Sequence, residues 1–184
     1  MRYLIVLFAL LSAPAQALEY CDELWLTRNL VFDRAGYCFN SVLGQAVFDN
    51  TGCDAAGVTL SEADKALVAK AFLAEHEQDC DVDTDQDFLA VPQLKQRLGL
   101  VDAPFPTIDE SACVGWQGAR MELRGERFED GAVIGAVRKG DALLFQFEDV
   151  DGWSFVQVLQ NGVPAGMGWA KIDFESMACD ALAG

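Results

Sequence analysis

The chain has 184 residues, with 13 lysines and arginines against 29 aspartates and glutamates, a formal net charge of −16. A field of that sign repels phosphate, so nucleic acid and anionic membrane surfaces are poor partners. The apolar fraction of 52% is ample for a core and argues against disorder throughout. The body of the chain has no apolar run of about 20 residues, the length a transmembrane helix needs.

In chain order, the first segment reads as an address. Arg2 precedes a short apolar run, Tyr3 to Leu11, and Ala15-Gln16-Ala17 has the small-residue form of a cleavage site. Residues 1–17 are expected to be a signal peptide, leaving a mature chain of 167 residues whose charge, with Arg2 gone, is −17. Export places the protein in the periplasm or outside the cell, where an even count of six cysteines suits three disulfides. No two cysteines form a C-x-x-C pair, which disfavours zinc-ribbon and thioredoxin-type sites.

Residues 18–80 are predicted to be helical. Asp22 stands where it can cap a helix running to Arg34, and Gly36 is placed for the positive φ of a helix C-terminus. A short helix is predicted over Ser41 to Phe48, stopped by Asn50-Thr51-Gly52. A third starts at Ser61 with Asp64 three residues on, a capping-box-like pair, and carries Leu67, Val68, Ala71, Phe72 and Leu73 at helical spacing. Residues 81–110 read as a partly ordered acidic linker: Asp81, Asp83, Asp85 and Asp87 alternate with other residues, a short helix is predicted near Pro92 to Leu98, and Pro104 and Pro106 enforce extended chain.

Residues 111–184 are predicted to be a small β domain. Val133–Val137, Ala142–Phe147, Trp153–Leu159 and Gly168–Ile172 are β-rich runs separated by the turn signals Lys139-Gly140-Asp141, Asp149 to Gly152 and Asn161-Gly162. Alternation in the third run places Trp153, Phe155, Gln157 and Leu159 on one face and Ser154, Val156 and Val158 on the other. Both faces are partly apolar, as in a small closed barrel of about five strands. The expected class is therefore α+β, a disulfide-stapled helical module followed by a small β-barrel.

Two resemblances attach to these parts. Leu24 to Phe39, with Arg28-Asn29, Gly36-Tyr37, Phe39 and Phe48, is similar to the YARHG domain of secreted bacterial proteins; Asp33-Arg34-Ala35 stands where that family has Ala-Arg-His. The wider pattern, through Gly44 to Cys53, resembles a small secreted family of Gram-negative bacteria to which no activity attaches. Leu123-Arg124, Val133 to Asp141, Gly152-Trp153 and Gly168-Trp169-Ala170 resemble a bacterial Src-homology-3-type barrel, with Gly125 to Gly131 replacing the usual Ser-Gly-Pro loop. That resemblance implies a groove for a cell-wall peptide or another protein, and Trp116, Phe128, Trp153 and Trp169 are the candidate ligand-facing residues; in so small a barrel at least two of the four are expected in the core.

Cys113 and Cys179 bracket the β domain and are expected to pair. The four N-terminal cysteines allow three pairings. Cys21–Cys80 with Cys38–Cys53 is favoured, because antiparallel first and third helices bring Cys21 and Cys80 to one end and leave Cys38 and Cys53 at the other. Asp81, Asp83, Asp85 and Asp87 are spaced like calcium-loop ligands, but Gln86 and Pro92 stand where that loop has glycine and glutamate, so any calcium site is weak. His76 is the only histidine, and no G-x-S-x-G or P-loop sequence is present. The expectation is a non-catalytic envelope-binding protein, without cofactor, whose barrel takes a peptide or cell-wall ligand. The alternative is an inhibitor or adaptor for a basic envelope enzyme.

Overall fold

A computed structural model describes residues 15–184. The leader expected over residues 1–17 lies almost entirely outside them. Four helices precede the sheet: α1 (Ala15–Arg34), α2 (Val42–Val47), α3 (Glu62–Glu77) and α4 (Leu94–Leu98). Ser41 and Ser61 cap α2 and α3, each accepting the N–H three residues on, of Gly44 and Asp64. Gly36 ends the first helix region at φ 84°, a left-handed turn that a side chain would strain. Asp22 is not a cap: α1 begins seven residues earlier, and the Asp22 carboxylate, buried within the helix, accepts the Ala90 N–H at 2.9 Å.

Helix α1 is buried on several sides. Trp25, Leu26 and Leu30 meet Phe39, Leu43, Val47 and Phe48 around α2, together with Leu89 and Val91. Leu24 turns to Ala71 of α3 and to Phe105. Two disulfides fasten this half, Cys21–Cys80 and Cys38–Cys53, the pairing that antiparallel packing favours. No helix of the described residues is long and apolar enough to cross a membrane.

The second half is one seven-stranded antiparallel sheet with order β3-β2-β6-β5-β4-β1-β7. Its strands are β1 (Pro106–Trp116), β2 (Met121–Arg124), β3 (Val133–Val137), β4 (Ala142–Phe147), β5 (Ser154–Gln160), β6 (Val163–Ala170) and β7 (Cys179–Ala183). Asn161 and Gly162, at φ 52° and 77°, form the two-residue turn between β5 and β6 that right-handed strand twist favours. Cys113–Cys179 ties the neighbouring strands β1 and β7.

The expected barrel of about five strands is thus an open sheet with two ends, β3 and β7. The partition of β5 explains why its sequence resembles a barrel strand. Val156 and Val158 join Cys113, Leu123, Val137, Leu143 and Ala170, contributed by β1 to β6, on one curled face. Phe155 and the flanking Trp153 join Phe147, Met167, Trp169 and Leu100 on the other. Both faces are apolar because the sheet covers one and the chain before it covers the other.

That covering chain is the segment expected to be an acidic linker, 81–110. It is structural. Leu89 and Val91 are buried against α1, Arg97 and Leu100 are buried under the sheet, and Phe105 is buried against α3. Thr27 donates to the Pro104 carbonyl at 3.0 Å and Arg34 to the Leu100 carbonyl at 2.6 Å, so α1 holds the segment along its length. The alternating aspartates occupy only its first seven residues; beyond them the apolar residues set its course. Its last residues already belong to β1, which opens on Pro106, a position where the missing N–H costs little.

Candidate functional site

The four aromatic candidates do not form a groove. Trp169 is fully buried, its indole N–H donating to the Asp102 carbonyl at 3.1 Å and its ring edge-on to Phe155. Trp153 is buried in the same cluster. Trp116 is half-buried against the other face of the sheet and donates to the Ala119 carbonyl. Phe128 alone is open to solvent. Substituting alanine at Trp153 or Trp169 would empty a core and unfold the protein rather than clear a ligand site.

The calcium expectation also changes. Among the described residues, no three acidic, histidine or cysteine side chains are grouped as a metal ion requires, so Asp81, Asp83, Asp85 and Asp87 do not converge. The Asp83 carboxylate instead accepts the Asp85 N–H, closing a local turn. His76 is exposed near the C-terminus of α3.

The most unusual buried group is Arg97. Its guanidinium is completely buried, bonds the Glu23 carboxylate of α1, and lies over the rings of Phe147 and Phe155 at 4.7 and 5.3 Å. Two of its nitrogens, Nε and Nη1, have no hydrogen-bond partner among the described residues. Burial pushes its pKa down, and the Glu23 charge opposes that shift. Arg97 is therefore an ionic pin between helix and sheet, enclosed on both sides. Sequence reading passed over it because nothing local to Lys95-Gln96-Arg97 marks a buried cation.

An accessible surface lies at the other end of the sheet. Among the described residues strand β3 pairs with β2 and with no other strand, so it ends the sheet. Val133 and Ile134 are 47% and 38% exposed, Phe128 in the β2–β3 loop is 58% exposed, and Val101 is 62% exposed. Val101 and Ile134 meet across Gly125: the Val101 N–H donates to the Gly125 carbonyl, and a Cβ at Gly125 would stand 3.6 Å from Ile134 Cγ2. The loop is held in shape by Arg124, which donates to the Gly131 carbonyl at 2.6 Å, and by Asp102, which accepts the Arg127 N–H at 2.7 Å. Of these residues only Phe128 was a candidate from sequence. The run Val133 to Val137 is legible as a strand, but its place at a sheet edge depends on pairing remote in sequence.

The residues that resemble the YARHG pattern have structural work. The Arg28 guanidinium pairs with Glu75 at 3.1 Å and lies over Phe72, joining α1 to α3. The Asn29 amide donates to the Trp25 carbonyl inside the core. Tyr37 packs edge-on to Phe39, and Phe39 stacks on Phe48 at 4.4 Å between centroids. Ala35 follows the last residue of α1, where the family has its histidine, so no imidazole stands at that turn.

Comparison with curated proteins and with solved structures gives no match. The model of the YARHG domain matches residues 2–75, and the family described as a domain of unknown function (DUF4453) matches residues 79–184. The sheet half that resembled a Src-homology-3-type barrel is the part matched by the second family. Since that match covers more than half of the chain, the protein belongs to the DUF4453 family, with a YARHG domain preceding it.

Proposed function

We propose that the protein is a non-catalytic, exported binding module whose sheet half takes a peptide or cell-wall ligand. The observation that carries this reading is the exposure of Val101, Phe128, Val133 and Ile134 on and around the terminal strand β3. Exposed apolar side chains gathered at an open strand match the way sheets receive extended ligands. Three disulfides fit an exported protein, and the periplasm of a Gram-negative bacterium is the compartment this reading assigns. Sedimentation with purified peptidoglycan, alongside a screen of envelope peptides, tests it. The wild-type chain should bind one of them, and Phe128→Ala should lose binding while its stability stays within about 0.5 kcal/mol. Absence of binding to both ligand sets at low salt overturns it.

A second reading rests on the charge of −16, which would steer a basic partner. Under it the protein is an inhibitor or adaptor for a basic envelope enzyme. Recovery of one such enzyme from envelope extract, released by moderate salt and unaffected by Phe128→Ala, would favour it over the first.

A further inference from the structure

The surface beside β3 has two properties that define its ligand more narrowly. The first is a main-chain edge: among the described residues, Val133–Val137 pair with no strand but β2. Its five residues carry no charge and no proline, and its ladder to β2 is irregular at Ile134, between the pairs Arg124–Val133 and Leu123–Gly135. The opposite edge differs: β7 contains Asp180, whose carboxylate accepts the Gln117 amide.

The second property is a charge gradient along β3. Arg138 and Lys139 follow its last residue, are exposed, and have no ion-pair partner among the described residues. Asp141 beside them is buried, its carboxylate accepting the Arg138 N–H at 2.7 Å. Before the first residue of β3 stand Glu126 and Asp130, also without ion pairs, whereas Arg127 is paired with Asp102 and Glu129 with Lys171. The edge is therefore acidic at its start and basic at its end, with uncharged backbone between.

We infer that an extended peptide adds to the sheet antiparallel to β3, with acidic side chains at its N-terminal end against Arg138 and Lys139; this rests on the peptide reading given above. Antiparallel addition continues the pattern of every pair in the sheet and is the stronger ladder per residue. It also sets the first residues of the ligand beside the last residues of β3. The uncharged middle of the ligand lies along Val133 and Ile134, and a basic residue at its C-terminal end meets Glu126 and Asp130. At physiological salt the Debye length of about 8 Å leaves these local charges, rather than the distant acidic surface, in control.

The probe is a capped peptide of two glutamates, alternating valine and threonine, and a closing lysine, titrated into the full chain at physiological salt by calorimetry. Two derivatives carry N-methyl groups on alternate amides, one in each phase. In an added strand only one phase of amides faces the sheet, so one derivative should bind like the parent and the other at least about tenfold more weakly. Arg138→Glu with Lys139→Glu should weaken the parent about tenfold without altering the fold, since both side chains are exposed. Equal binding of both methylated peptides overturns strand addition while leaving ligand binding by this surface intact. Failure of the parent peptide while peptidoglycan still binds has the same consequence. A concentration-dependent dimer abolished by Ile134→Lys, with no peptide bound, assigns the edge to a second copy and also overturns the inference.

Discussion

The helical half and the sheet half are stabilised in different ways, and the difference shows where the structural unit ends. The sheet half has a continuous ladder across seven strands, its own curled inner core and one disulfide. The helical half has two helices of 16 residues or more, two disulfides, and a core completed by Leu89 and Val91 from beyond residue 80. Small helical units seldom bury enough apolar surface to stand alone, and staples and borrowed side chains are the usual remedies. The boundary between the two family matches, at residues 75 and 79, therefore does not divide two independent cores. The chain after it returns to α1, and then to the sheet, before β1 begins.

The comparison can be broken first at Arg97. Arg97→Ala removes the cation facing Glu23 and empties a site lined by Phe147 and Phe155. The expected loss is about 4 kcal/mol in urea unfolding. It should also split one transition into two, with the far-ultraviolet signal at 222 nm following the helices and hydrogen exchange of the strand amides following the sheet. A single unchanged transition would show that the halves are coupled elsewhere.

Next in size is the removal of Cys38–Cys53, which closes a sequence separation of 15 residues. Cys38→Ser with Cys53→Ser should cost about 3 kcal/mol, read as a lowered urea midpoint of the helical signal. An equal loss from both halves would mean that the helical half has no instability of its own.

The smallest effect sharpens the role of Asp22. Burial holds its carboxyl above the ordinary value of 3.8, opposed by the Ala90 N–H. A raised value in the folded state means that folding favours the protonated form. That contribution is fully present below pH 3.8 and is lost as pH rises through the raised value. Asp22→Asn keeps an oxygen for Ala90 and carries no charge. It should match or exceed the wild type at pH 7 by up to about 1 kcal/mol, and the difference should close as pH falls below 3.8. A variant markedly less stable at pH 7 would show that the charge itself holds the loop.

Local chemistry accounts for what was legible beforehand. Ser41 and Ser61 bond the N–H groups that their helices leave open, Gly36 takes the backbone angle other residues avoid, and Asn161-Gly162 suits the turn between twisted strands. The strands Val133–Val137 and Ala142–Phe147 were readable from β-branched and aromatic runs between turn residues. By contrast, β1 hides behind two prolines and a polar stretch, and Cys179–Ala183 of β7 is poor in strand-forming residues. Both are strands because of the neighbours they meet. The candidate site was less legible still. At least two of the four aromatic candidates were expected in the core, and Trp153 and Trp169 are the two; Val101, Val133 and Ile134, exposed in the structure, carried no site signal in the sequence.

By itself, then, the sequence determined the helix caps, the tight turns, the acidity and the cysteine pattern, because each depends on residues within a few positions or on composition. Only the tertiary structure decided that the supposed linker is the seam between two halves, that a lone arginine is buried in it, and that β3 ends the sheet. Those outcomes depend on which distant surfaces meet, and the free energy that selects them arises from burial and pairing across the whole chain.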